Sequence, residues 1–241
     1  MSSKLAQMLE LLEKAYGPQK LAGPTDPYEM IVFLNCGYPA SDAKCAKGFE
    51  ELKHEVGVQP EKVLAVPKSK LAKVMRPSVI IPGVCAERLK ETARKVKGEF
   101  KGNLTTVLKQ HLREAKRPEK GLKDAKKVLQ QFPVIGEPSG EKILLFAKLA
   151  PIAAVPSAFV HVPARLFAGE PRKNYAADYR AARELLDSGL PRTFEARQKA
   201  YLLLKKHGQE TCKRSKPRCE ACPLTAQCAY FQAKAGDKNT E

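Results

Sequence analysis

The 241-residue sequence predicts an all-α protein. Two observations carry that prediction. Apolar residues recur at three- and four-residue spacing in one segment after another, as they do on helices with one buried face. No segment alternates apolar and polar residues with β-branched enrichment over the length of a strand, so no sheet is expected.

Leu5, Met8, Leu11, Leu12 and Tyr16 mark the first helix. Asp26-Pro27-Tyr28-Glu29 starts a second. Asp26 can accept from an unpaired first-turn amide, Pro27 suits a position whose N–H is unused, and Glu29 can reach back. Ile31 to Leu34 continue it as a buried segment. Phe49, Leu52 and Val56 mark a third helix, which Gly57 ends. Leu89, Ala93 and Val96 share another, and Leu104, Val107 and Leu108 one more. The charge-rich stretch from Glu114 to Lys127 reads as a loop or an exposed helix. Farther on, Ala177, Tyr179, Leu185 and Leu186 lie on one helix, and Tyr201 to Leu204 on the next. There is no internal repeat.

The length allows one large core or two smaller ones, and two domains are expected. No apolar run reaches the roughly 18 residues of a membrane span. Met1 to Gly17 mixes charged and apolar residues and lacks the apolar core of a secretory signal, so a cytoplasmic place is expected. Forty-three Lys and Arg against 26 Asp and Glu leave a net charge of +17. The positives are widespread, including Lys90, Arg94, Lys95, Lys97 and Lys101, then Lys116, Arg117, Lys120, Lys123, Lys126 and Lys127. A solvated surface could carry such charge. A polyanionic partner explains it better, because each phosphate neutralised releases counterions and strengthens binding. A lipid surface is disfavoured, since no terminus is strongly amphipathic and basic.

Of the seven cysteines, Cys36, Cys45 and Cys85 sit among apolar residues and read as core. Cys212, Cys219, Cys222 and Cys228 fall within 17 residues, spaced C-x6-C-x2-C-x5-C. Four thiolates can ligate one Zn²⁺ or one cubane cluster. Zinc sites usually pair two short knuckles, and only one short pair exists here. Unligated, four such close thiols would be prone to oxidation.

With His207-Gly208-Gln209-Glu210-Thr211 before the first cysteine and Tyr230 after the last, this loop resembles the C-terminal end of the endonuclease III family of DNA glycosylases. The resemblance implies a [4Fe–4S] cluster on Cys212, Cys219, Cys222 and Cys228, with a structural and DNA-positioning role. It also implies that Lys213, Arg214, Lys216 and Arg218 meet DNA phosphates. A second match runs from Leu129 to Leu144, which resembles the family's helix-hairpin-helix, L-P-G-V-G-x-K-x-A. Such a turn aims backbone N–H groups beside a helix N-terminus, and both favour a phosphate. Gly136 keeps the second glycine, but Val134 holds the place of the first. A distorted turn and a weakened phosphate contact are therefore expected.

The family's chemistry needs a lysine just after the hairpin, which attacks the sugar to form a Schiff base. It also needs an aspartate eighteen residues later, which activates the nucleophile or stabilises the cationic sugar. In this sequence the two positions are Pro138 and Pro156, and the interval of eighteen is kept. Neither proline can serve as nucleophile, base or charge stabiliser. Lys142, one helical turn beyond Pro138, reads as a phosphate contact or a solvated lysine ahead of a displaced nucleophile. Ser139 and Ser157 neighbour the two prolines. Glu137 and Glu141 suit a helix start, and His161 reads as a satisfied core or surface histidine. Gly37-Tyr38-Pro39 stands where relatives carry a residue that fills the gap left by a flipped base, and Tyr38 is either a wedge or core. Gly83 weakly resembles another backbone-binding turn.

The resemblance extends from about Asp26 to Phe231 and implies two helical lobes with a DNA groove between them. A six-helix barrel with the helix-hairpin-helix would occupy 27–150. An iron–sulfur cluster lobe would combine 1–26 with 151–231, and 232–241 would be a flexible tail. The function so implied is DNA binding in DNA repair by a monomer acting on double-stranded, damaged or bent DNA, without glycosylase or AP-lyase chemistry. The alternative is an active glycosylase or AP lyase of base excision repair that uses displaced groups. A third possibility is a cluster whose oxidation changes DNA affinity. In a prokaryote the protein would be nucleoid-associated.

Overall fold

The computed structural model describes residues 4–38, 41–115, 117–171 and 174–237; Pro39, Lys116 and the last part of the expected tail lie outside them. Among the described residues the regular structure is helical, with no strand. None of these helices is long and apolar enough to cross a membrane. The chain forms two compact units. One is continuous, Leu21–Ala150, and the other joins Met1–Lys20 to Pro151–Glu241.

The discontinuous unit begins with α1 (Lys4–Tyr16), and the continuous unit follows with α2 (Pro27–Asn35). Asp26 caps α2 as the sequence predicts, its Oδ1 accepting from Glu29 N–H at 3.1 Å. Its other carboxylate oxygen accepts from Thr105 Oγ1 at 3.1 Å, which ties the start of α2 to that of α7 (Leu104–Glu114). Met30, Ile31, Val32 and Phe33 are all buried, because α2 is surrounded by its neighbours. It packs against α3 (Asp42–Glu55), α6 (Pro82–Glu99), α7 and α9 (Glu137–Phe146). Gly57, at φ +95°, ends α3 in the left-handed conformation, donating to Leu52 O at 2.9 Å.

Two short helices, α4 (Pro60–Ala65) and α5 (Lys68–Met75), escape the sequence reading. Both lie under α6, whose Lys90 Nζ donates to the carbonyls of Leu64 (2.8 Å) and Val66, capping the end of α4. Most of the charge-rich stretch is α8 (Pro118–Leu129), which buries Gly121, Ala125, Val128 and Leu129 and is not merely an exposed helix. Gly121 lets α8 close on α7, since a Cβ there would lie 2.5 Å from His111 O.

The discontinuous unit continues with α10 (His161–Ala168), α11 (Tyr175–Gly189), α12 (Phe194–Glu210) and α13 (Ala229–Asp237). Leu5, Met8, Leu9 and Leu12 of α1 enter one core with Val162, Leu166, Tyr179, Leu186, Leu203 and Leu204. Cys212, Leu224, Cys228 and Tyr230 belong to the same core. Buried Arg197 donates to the carbonyls of Pro151 (2.5 Å) and Pro191 (3.3 Å) and to the Asp187 carboxylate (2.6 Å). The segment entering α10 is thereby fastened to α12.

Candidate functional site

In the continuous unit, the turn between α8 and α9 is closed by Ile135 N–H to Phe132 O at 3.2 Å. Pro133 takes its second position and Val134 its third, at φ +60°. A turn with a left-handed third residue normally carries glycine there. Here Val134 itself takes the glycine conformation, which costs an L side chain about 1–2 kcal/mol. The surroundings hold it. Buried Asn35, at the end of α2, donates through Nδ2 to Pro133 O (3.3 Å) and Ile31 O (3.0 Å).

Gly136 caps α9 with extended backbone, φ −89° and ψ −175°. A Cβ there would meet only Pro138 Cδ, at 3.8 Å. Neither its dihedrals nor internal packing requires glycine, so what a side chain would obstruct is the exposed space beside the helix N-terminus.

Pro138 lies in the first turn of α9, where its missing N–H leaves no helical bond unmade. Lys142, one turn on, is only 6% exposed and engaged within the protein, so the solvated reading of that side chain does not hold. Glu141 is 2% exposed. It and Glu137 receive Lys126 of α8, at 2.9 Å and 2.6 Å. Burial works against the Lys126 charge, but the two carboxylates outweigh it and hold that amine above its ordinary pKa. These acids clamp the two hairpin helices together.

In the discontinuous unit, Pro156 is buried and precedes a 3₁₀ turn, Ser157–Phe159, with Phe159 N–H bonded to Pro156 O at 2.9 Å. Two residues beyond it, His161 is a buried core histidine that donates from Nε2 to Cys212 O at 2.8 Å, leaving Nδ1 without a partner. Burial holds it below the usual histidine pKa and therefore neutral. Arg165, one turn along α10 and also buried, donates to the carbonyls of Lys213 (2.8 Å) and Arg214 (2.6 Å) and to Cys212 Sγ (3.6 Å). Its guanidinium lies 4.9 Å from the centre of the Tyr230 ring.

The loop that Arg165 holds is closed at its base by Thr211 O, which accepts from Lys213 N–H and Arg218 N–H, each at 2.9 Å. Lys213, Arg214, Lys216 and Arg218 are all exposed on it. Cys212, Cys219, Cys222 and Cys228, none in a disulfide, line one cavity together with His207, Thr211 and Tyr230. Among the described residues, no three Cys, His, Asp or Glu converge on the place of a single ion. Leu224 N–H points at Cys222 Sγ at 3.4 Å, and His207 Nε2 lies 3.9 Å from the same sulfur. Burial pushes the thiols of Cys212, Cys219 and Cys222 up, that of Cys222 to about 11, and the neighbouring cysteines add to it. Such a set ionises fully only against a positively charged group. Tyr16, at the end of α1, joins this site through hydrogen bonds to Thr211 Oγ1 (2.7 Å) and His207 Nδ1 (2.8 Å).

With this geometry the chain resembles endonuclease III in a trapped covalent DNA complex, at TM-score 0.72 and 16% identity over 95% of this chain and 96% of that one. It also resembles a thermostable thymine-DNA glycosylase, at TM-score 0.70 and 20% identity over 95% of each. The fold is that of endonuclease III. No protein-family model matches the sequence. Among curated proteins, the chain is 24% identical over 222 residues to "Putative DNA repair glycosylase MJ1434" of Methanocaldococcus jannaschii, covering 92% of this chain and 94% of the relative. It is 26% identical over 175 residues to a thymine/uracil-DNA glycosylase of Methanothermobacter thermautotrophicus, covering 71% and 68%.

On this endonuclease III fold, sequence reasoning missed Asn35, Arg165 and the hydroxyl of Tyr16. Arg165 had a legible signal. It is a lone charge between Val162 and Leu166, one turn from His161, on a helix otherwise apolar over that stretch. Asn35 and Tyr16 had none, because their partners are distant in sequence.

Proposed function

We propose that this protein binds double-stranded DNA as a monomeric iron–sulfur member of the endonuclease III-like repair proteins, without the usual glycosylase and AP-lyase chemistry. Cys212, Cys219, Cys222 and Cys228 would hold a [4Fe–4S] cluster. What favours a cluster over zinc is the spacing, one short pair flanked by gaps of six and five residues where zinc sites usually pair two short knuckles, together with the lining of one cavity by all four cysteines. When bound, the cluster supplies rigidity and a possible one-electron couple. The protein's own contribution is positional: Arg165 and Thr211 fix the backbone from which Lys213, Arg214, Lys216 and Arg218 reach phosphates. In the hairpin, the left-handed Val134 and the open Gly136 keep backbone N–H groups available to a further phosphate.

The observation that carries the loss of chemistry is a pair of side chains, Pro138 in the first turn of α9 and Pro156 ahead of its 3₁₀ turn. One observation favours the alternative, an AP lyase with Lys142 as nucleophile. That amine is buried, which is a setting in which lysine nucleophiles operate. Borohydride trapping on DNA carrying an abasic site, with Lys142→Ala as control, separates the two. Salt-sensitive DNA binding without a covalent adduct is expected. An adduct that the control abolishes would make the protein a lyase.

A further inference from the structure

Five large apolar or aromatic side chains are exposed among the described residues, and Tyr175 is the one in the discontinuous unit. It is 48% exposed and opens α11. Its place is fixed from two sides. Asn174 Oδ1 accepts from Ala177 N–H at 3.1 Å, which sets the start of the helix. One turn on, Tyr179 is 3% exposed in the core and lies under the Tyr175 ring, with centroids 6.2 Å apart and planes 22° apart. One face of Tyr175 is thus backed by a buried aromatic, and much of the rest meets solvent. Tyr175 also lies within electrostatic reach of Arg214, whose backbone Arg165 pins from α10, the helix against which α11 packs.

We infer that Tyr175 is a stacking platform for an unpaired DNA base beside the basic loop. Aromatic faces flanked by fixed positive charge bind single-stranded nucleic acid in a sequence-tolerant way, since every base has a π-face and every nucleotide a phosphate. Arg214 and Lys213 would hold the backbone while Tyr175 takes the adjacent base. The partner is DNA with a gap or single-stranded segment next to a duplex. This rests on the DNA-binding reading above and adds a preference that fully paired DNA cannot satisfy.

The chain has no tryptophan, so Tyr175→Trp would introduce the only one. The test compares a gapped duplex, carrying 2-aminopurine opposite the gap, with the same duplex fully paired. Wild-type protein is expected to quench the 2-aminopurine and to bind the gapped DNA more tightly. Tyr175→Ala should lose between about five-fold and about 150-fold in affinity for the gapped DNA, the range of one base–aromatic stack, with paired-duplex affinity kept. Tyr175→Phe should retain the preference. If the alanine variant folds poorly, Tyr175→Trp still decides, because its emission must change on gapped but not on paired DNA. Tyr175→Ala binding both DNAs as wild type does, or unresponsive emission from Tyr175→Trp, would overturn the platform while DNA binding stands. Wild-type protein that binds neither DNA would overturn the DNA-binding reading itself, and the platform with it.

Discussion

Replacing Val134 with glycine, and separately with alanine, tests whether the hairpin turn is held in a conformation its sequence resists. At ordinary positions alanine is more stable than glycine by roughly 0.5–1 kcal/mol, because glycine loses more backbone freedom on folding. At φ +60° the ordering should invert. Both variants lose the half-buried valine side chain, worth on the order of 1 kcal/mol, so that loss cancels between them. Alanine keeps the left-handed strain of about 1–2 kcal/mol, whereas glycine relieves it. Glycine should therefore exceed alanine by roughly 0.75 kcal/mol at the midpoints of these ranges and by up to about 1.5 kcal/mol, with wild type close to the glycine variant. Urea titrations read by far-UV circular dichroism give the three midpoints, and equal slopes establish that stability alone has changed. Alanine more stable than glycine by the ordinary margin of roughly 0.5–1 kcal/mol would refute the left-handed assignment.

Other outcomes follow from the clamp, the α1 contact and the cysteines. Lys126→Met should cost about 3 kcal/mol, the low end for stranding a buried carboxylate because Glu141 keeps another contact; a double-mutant cycle with Glu141→Gln in urea measures the coupling. Since the Lys126 pKa is raised by folding, the clamp's stabilisation is complete below the ordinary lysine value and is lost as pH climbs through the folded one. Wild-type stability should thus fall above about pH 10.5 more steeply than that of Lys126→Met. Tyr16→Phe should lose about 1–2 kcal/mol, because it leaves buried His207 and Thr211 without their shared hydroxyl, and amide exchange in α1 should quicken. Cys219→Ser should lower bound iron and the visible absorption of reconstituted protein; wild-type protein that is stable, iron-free and tightly loaded with zinc would sink the cluster assignment.

Where a helix buries large aliphatic side chains at regular spacing, the sequence displayed it. α1, α2, α3, α6, α7, α11 and α12 could be read directly from Leu, Ile, Val and Phe. The helices α4 and α5 could not, because six and eight residues are too few to repeat a stripe. Half of the inner face of α8 is small residues, Gly121 and Ala125, so lysines dominate its sequence while it packs closely on α7. At the candidate site, the cysteine spacing and the two prolines are local patterns and were legible. The hold that Arg165 has on the basic loop joins residues 48 and 49 positions apart, and Asn35 reaches 98 positions to the hairpin turn. Only folding brings such partners together.

The two kinds of position in this site respond differently to substitution, and that difference explains how binding could outlast chemistry. Catalysis by a Schiff base needs one amine and one carboxylate, so replacing either side chain removes it. On the proposed reading proline replaces both groups, and with little structural penalty, because Pro138 and Pro156 each stand at the start of a helical segment, where the missing N–H is not needed. The phosphate contact proposed for the hairpin would rest instead on backbone direction. There even an unfavourable residue is tolerated: Val134 takes the glycine conformation in a closed turn that Asn35 also holds. In the basic loop Arg165 holds the backbone at Lys213 and Arg214 through their carbonyls, so the positions of these residues are set independently of their own side chains, while the phosphate contacts proposed for them still need their charge. On the proposed reading, chemistry rests on two side chains and the hairpin contact on backbone, so two substitutions would remove the first and leave the second.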